Sequence, residues 1–411
     1  MNLKQLYPFF ENTFSLLTLK AIELGLTIGL IPYLILKVGF HNYGIYVFAM
    51  SLMLFFVNIL SYGFDLSTVR EIAKHKNDSV KVSQLFSEVL SVKLVLFLGV
   101  SLVLLLLAFF VPTFWKNKTL YFFSYLLLIN ELLSLRWFFL GIEKTKITAI
   151  ISLIGTLMYV LLVLYFVRKP IDYLLIPLLE FLGIFPIAFI ALIWVLKSFK
   201  IRIQLISLKE IIQYLRFNFS SFVNLLLPST YAITLVFMVG VLGVPQQVSM
   251  IQLGVKISNA FSTLNTILTS VFFPIVNRKK TILIISRVAL LTVGFVLTGV
   301  MYFSAPFLVS NWISFSSQLI LENTIVIVKI LSPVPFLMAI ISSFGLNGLL
   351  VNYQDKLYSK IILTASVSML LFSGLFIPAF YVVGGAIAFL LGRFVHALLS
   401  YFSFKKLVQW D

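Results

Sequence analysis

Apolar runs of about 20 residues follow one another along this chain, and the basic residues collect in every second gap between them. A run of that length crosses the ~30 Å hydrocarbon core of a bilayer as a helix. Hydrophobic residues make up 61% of the 411 positions and the mean hydropathy is +1.08, well outside the soluble range. The spacing predicts an all-α integral membrane protein with about twelve spans: 16–36, 43–62, 92–111, 120–140, 147–167, 173–196, 217–243, 246–276, 288–304, 325–350, 361–377 and 384–404. Breakers mark the turns: Gly39, Gly44, Pro112, Pro170, Pro245, Pro306 and the pair Gly384-Gly385. Lys4 and Glu11 precede the first run without a small-residue cleavage site, so that run is read as a retained span.

Twenty-one Lys and Arg fall on one side of this segmentation, Lys93 at its edge among them, and five on the other (Lys37, Lys116, Lys118, Arg168, Lys169). The positive-inside rule then puts both termini in the cytoplasm and requires an even number of spans. The same rule accounts for the net charge of +17, so no nucleic-acid partner is expected. Cysteine is absent, which excludes disulfides, thiol catalysis and Cys-ligated metal; His41, His75 and His396 are scattered with no ligand spacing. Neither a metal nor a cofactor is expected.

A weak internal repeat relates the turn 37–44 to 241–248, and the bend 139–146 to 346–350. The basic link 197–216 would join two six-helix bundles, residues 1–200 and 201–411, around a central cavity.

Three motifs resemble one family. They are Pro32-Tyr33-Leu34 with Val38-Gly39 and Tyr43-Gly44, the run from Tyr62 to Ala73, and Arg136-Trp137-Phe138-Phe139-Leu140-Gly141-Ile142-Glu143. They are similar to signatures of the Wzx-type polysaccharide flippases, in the polysaccharide branch of the multidrug/oligosaccharidyl-lipid/polysaccharide (MOP) superfamily. Leu140 stands where that family usually has Gln, and Lys37 and Asn42 where it usually has Arg and an acidic residue. The resemblance implies a bacterial inner-membrane protein, not an enzyme. It would carry an undecaprenyl-pyrophosphate-linked oligosaccharide (an O-antigen or capsule repeat unit) from the cytoplasmic to the outer leaflet by alternating access. Membrane lipids, a polysaccharide polymerase and a chain-length regulator are the implied partners.

Ionisable groups inside spans cost about 2.5–3.5 kcal/mol on insertion scales unless they face water or a partner. Lys20, Arg136, Lys256, Lys329 and Arg393 are therefore the candidate ligands for an anionic headgroup, Arg as a bidentate fork and Lys as a point charge. For Lys20, Arg136 and Arg393, snorkelling to the interface is the alternative. Glu23, Glu131 and Glu180 are candidates for ion coupling, the alternative being counter-charges: Glu23 to Lys20, three residues away, and Glu131 to a neighbouring helix.

Thr68-Val69-Arg70-Glu71 suggests a capping box opening a short helix over 71–81. Trp115, Trp137, Trp194, Trp312 and Trp410 fall near span ends, as interfacial belts do. Two other functions compete. A cation-coupled drug or metabolite antiporter would favour an acidic cavity, against which the five in-span basic residues argue, and a membrane glycan polymerase would need a sizeable outer loop, whereas the outer connections here are short.

Overall fold

A computed structural model describes residues 3–278, 280–313, 315 and 317–408; Lys279 and Trp410 lie outside them. Among the described residues there are helices and turns and no strand. Eight helical runs are long and apolar enough to cross a membrane. Two of them contain a break. Gly39 interrupts Leu3–Ser61 with φ 82° and ψ 159°, a conformation open to glycine and closed to side chains with a Cβ. Tyr381, at φ 52°, interrupts Asp355–Val408 just after Pro378. Leu208–Leu242 and Pro245–Arg278 supply the two remaining spans, so the chain is a twelve-span membrane protein.

Local chemistry fixes the helix starts. Asp78 accepts from the backbone N–H groups of Val80 and Lys81, opening Ser79–Phe110. Ser207 and Glu210 form a reciprocal cap before Leu208: Glu210 accepts from the N–H and hydroxyl of Ser207, and the Glu210 N–H donates to Ser207 Oγ at 3.4 Å. The expected box at Thr68–Glu71 does not form. The helix there runs Phe64–Lys74 from Gly63, while the Thr68 hydroxyl meets Tyr214 Oη at 2.6 Å and Glu71 pairs with Lys74. Sequence reasoning took a mid-helix threonine for a cap because its tertiary partner lies 146 residues away.

The chain divides into two compact units, 1–38 with 52–226, and 39–51 with 227–411. In the first, the link between the halves is docked along a helix. The backbone N–H groups of Arg202, Gln204 and Ile206 donate to the hydroxyls of Ser83, Ser87 and Ser91 at 2.9, 3.1 and 3.2 Å. Two residues of extended chain advance about 6.6 Å and four residues of helix about 6 Å, so the two ladders stay in register. These serines satisfy backbone donors that have no helix or sheet partner of their own. Trp137 belongs to the core beside them, 3% exposed, with Phe86 and Phe138 against its ring and its Nε1 donating to the Ser134 carbonyl. It corrects the interfacial assignment, whereas Trp115 and Trp194 are exposed.

In the second unit, residues 39–51 pack on the helices that follow Leu227. Ser249 Oγ donates to the Phe40 carbonyl at 2.6 Å, and Phe48 stacks on Phe237 at 5.5 Å. The two related turns thus lie side by side. A Cβ on Gly44 would overlap the Pro245 carbonyl, so this approach requires glycine. Gly44→Ala is expected to cost about 1–3 kcal/mol through backbone displacement. Gly99→Ala, at an exposed position with open space around it, is the control. Thermal midpoints by fluorescence-detected size exclusion check this: Gly44→Ala falls and Gly99→Ala does not.

Candidate functional site

The first unit holds its in-span charges in pairs. Lys20 Nζ meets Glu23 Oε2 at 2.6 Å, and the other Glu23 oxygen accepts from Ser152 Oγ at 2.7 Å, tying the first span to Thr145–Phe166. Arg136 Nε lies 3.1 Å from Asp65, with the Arg side chain 66% exposed. Glu131 receives Lys93 at 2.8 Å, a residue counted above with the cytoplasmic edge. Lys93 is instead 2% exposed, and it also donates to the carbonyls of Glu131 and Ser134 at 2.7 and 3.3 Å. The helix breaks there, between Lys118–Leu133 and Arg136–Gly141, releasing carbonyls that the ammonium satisfies. Glu180 is half-buried near the start of Ile176–Ser198 and has an interaction partner of its own.

In the second unit, Pro245–Arg278 is unusually polar for a span. Gln252, Lys256, Asn259, Thr263, Thr266 and Ser270 recur at alternating spacings of four and three, which places them on one helical face. Lys256, Asn259, Thr266 and Ser270 are exposed, and Gln252 and Thr263 partly so. From Gln252 to Ser270 the face runs about 27 Å along the helix, close to the full hydrocarbon thickness. Amide and ammonium groups at that depth are costly against lipid, which favours water or polar partners for this face. Ser258, Ser262, Asn265 and Thr269 form a second polar row that is buried, with Asn265 Nδ2 donating to the Pro335 carbonyl at 2.7 Å.

Arg393, His396 and Ser400 share a face of Asp355–Val408. The guanidinium carbon of Arg393 sits 4.5 Å from the Tyr231 ring centre and 5.2 Å from that of Phe389. Cation–π attraction thus replaces a carboxylate partner. The His396 ring, 3% exposed, lies between Tyr231 and Tyr358 at 6.3 and 5.9 Å. Arg393 Nε, both ring nitrogens of His396 and Ser400 Oγ have no hydrogen-bond partner among the described residues. Opposite them, Ile341–Leu349 is wound as a π-helix, a departure that recurs at functional sites. Lys329, in the last turn of Gln318–Leu331, points at the Tyr302 ring from 5.4 Å.

Five basic candidates therefore divide by environment. Lys20 and Arg136 have carboxylate partners, Arg393 and Lys329 rest on rings, and Lys256 lies on the exposed polar row and has an interaction of its own. The polar row, His396 and Lys93 were missed from the sequence. The four-three alternation of polar residues over 252–270 was the available signal for the first.

Residues 9–280 match the family described as polysaccharide biosynthesis protein. A curated protein of Escherichia coli (strain K12), named "Putative O-antigen transporter", is 26% identical over 367 residues, 87% of this chain and 88% of that protein. Two solved structures share the fold. One is an inward-facing multidrug resistance MATE family transporter of the MOP superfamily: TM-score 0.75, 12% identity, covering 97% of this chain and 98% of that one. The other is the lipid II flippase MurJ in an inward closed conformation: TM-score 0.72, 16% identity, covering 95% and 87%. The relatives bear the names of transporters and flippases, not of enzymes.

Proposed function

This chain belongs to the polysaccharide biosynthesis protein family, and on that premise we propose that it moves an undecaprenyl-pyrophosphate-linked oligosaccharide from the cytoplasmic to the outer leaflet. The observation that carries this reading is the exposed polar row from Gln252 to Ser270 inside an apolar twelve-span protein. A glycan is rich in hydroxyls and needs a continuous series of hydrogen-bonding groups in place of water. Amide and hydroxyl side chains supply these along nearly the whole membrane depth, and Lys256 supplies a cation for the pyrophosphate. The polyprenyl tail needs no such path because it is apolar and has no hydrogen bonds to replace.

Residues 1–200 and 201–411 act in this proposal as two bundles that give the substrate access to one side of the membrane at a time. Arg393 and Lys329, which rest on rings, add positive potential, while Lys20 and Arg136 would reach the headgroup only by leaving Glu23 and Asp65. Both termini lie in the cytoplasm of a bacterium, the protein sits in its inner membrane, and a polymerase and a chain-length regulator receive the exported unit. Ion coupling through Glu23, Glu131 or Glu180 is tested by Gln replacement: export that keeps its pH response in all three variants removes these carboxylates as coupling sites. Glu23 and Glu131 have counter-charges at 2.6 and 2.8 Å, so neither is a lone acidic site of the kind a cationic-drug antiporter would use.

Complementation of a polysaccharide-flippase deletion tests the function. Restored surface polysaccharide is the expected result. Correct insertion with no restoration by a panel of glycan backgrounds, together with extrusion of cationic dyes, would replace the flippase with the antiporter.

A further inference from the structure

A recess of about 570 Å³ opens in the first unit between Ser79–Phe110 and Lys118–Leu133, far along the chain from the polar row. Its floor is closed by Met53, Leu104 and Tyr121, each less than 9% exposed, and its rim carries Leu105, Trp115 and Phe122, each about 60% exposed. Three hydroxyl side chains line it: Ser101 and Tyr125 bond each other at 2.9 Å and so offer little to a polar ligand, and Tyr121 is buried in the floor. Phe114 stacks on Tyr121 at 4.1 Å and shapes one end. Lys118 is its one charged lining residue, exposed at the same end; the connection 111–118 adds Lys116 and no acid. From Ser101 to Ala108, and again from Lys118 to Tyr125, the walls extend about 10 Å along their helices. That is roughly two thirds of one leaflet of a ~30 Å hydrocarbon core, with the cation at the headgroup end.

We infer that this recess holds the isoprene units next to the phosphate of a polyprenyl phosphate, with the phosphate on Lys118 and the rest of the tail in lipid. The argument is complementarity of charge and shape. A single cation above a deep apolar slot fits one anionic group on one chain, whereas a glycerophospholipid brings two chains to one headgroup. A methyl-branched isoprenoid also fills a wide, aromatic-lined slot that a straight acyl chain would leave partly empty. Lys116 and Lys118 belong to the side assigned above as outer, so the recess would receive the carrier in the outer leaflet, held by the phosphate that adjoins its isoprenoid chain. The proposal rests on the flippase reading for the identity of the carrier.

The test is equilibrium binding of labelled undecaprenyl phosphate to the full-length protein in detergent, with phosphatidylglycerol as competitor. Ala108→Trp fills the slot from its wall and Lys118→Glu reverses the charge. Each is expected to weaken binding about tenfold, equivalent to about 1.4 kcal/mol, with thermal midpoints unchanged, and phosphatidylglycerol should compete at least tenfold less well than unlabelled undecaprenyl phosphate. Binding unaltered in a folded Ala108→Trp, or equal competition by phosphatidylglycerol, overturns the inference. Should a variant unfold, protection of bound label from a lipid-phase quencher, lost on Leu105→Ser, gives the second reading. Complementation by the wild type is scored in parallel. Restored export without slot-dependent binding sinks the recess alone, while slot-dependent binding without export in any glycan background sinks the flippase reading and leaves a polyprenyl-phosphate site.

Discussion

Lys93→Ala should destabilise the protein by about 3–5 kcal/mol, the usual result of removing one member of a buried ion pair. The lysine is 2% exposed and the Glu131 side chain 19%, so the stranded carboxylate has little water to turn to. Two carbonyls at the broken helix, Glu131 and Ser134, each lose one of their two donors at the same time, keeping the Ser134 N–H and Trp137 Nε1 respectively. Folded yield from membranes and the thermal midpoint should both drop. The double variant Lys93→Met/Glu131→Leu removes both charges and should recover most of the loss, though not the carbonyl bonds. A double variant no better than Lys93→Ala would mean that the carbonyls, not the charge pair, dominate at this site.

Lys256→Ala should abolish or nearly abolish export while leaving expression and thermal midpoint unchanged. The position is exposed, so its loss opens no cavity, and the neighbouring Val255, Ile257 and Ser258 keep the helix packed. Lys256→Arg retains the cation and should keep most of the activity; Lys256→Glu should be as inactive as alanine. Complementation at matched membrane expression checks all three. Normal export in Lys256→Ala would remove this lysine as a headgroup ligand and leave the amides of the row to carry recognition.

The sequence made the span count and most break points readable because both obey simple rules. Hydrocarbon thickness sets run length, and glycine marks a bend where a side chain cannot go, as at Gly39. The break at Tyr381 was less visible: Pro378 and Gly384-Gly385 announce a bend there, but its centre falls on a tyrosine. Pairings distant in sequence were not legible. Nothing near Lys93 tells that Glu131 lies opposite, so a residue at a span edge looked like one more cytoplasmic lysine. Likewise Ser83, Ser87 and Ser91 read as ordinary helix serines until the extended link 201–207 is seen lying on them. Lys256 was found as an isolated charge, yet its meaning comes from Gln252, Asn259, Thr263, Thr266 and Ser270, neutral residues that a search for ionisable groups passes over.

The most direct test of the account is translocation in proteoliposomes. Purified protein is reconstituted with an undecaprenyl-pyrophosphate-linked oligosaccharide confined to one leaflet, and its arrival in the other is read by lectin or glycosidase access. The account predicts transfer by the wild type and none above empty liposomes for Lys256→Ala. A folded, inserted wild type that leaves the lipid-linked oligosaccharide where it began would contradict it.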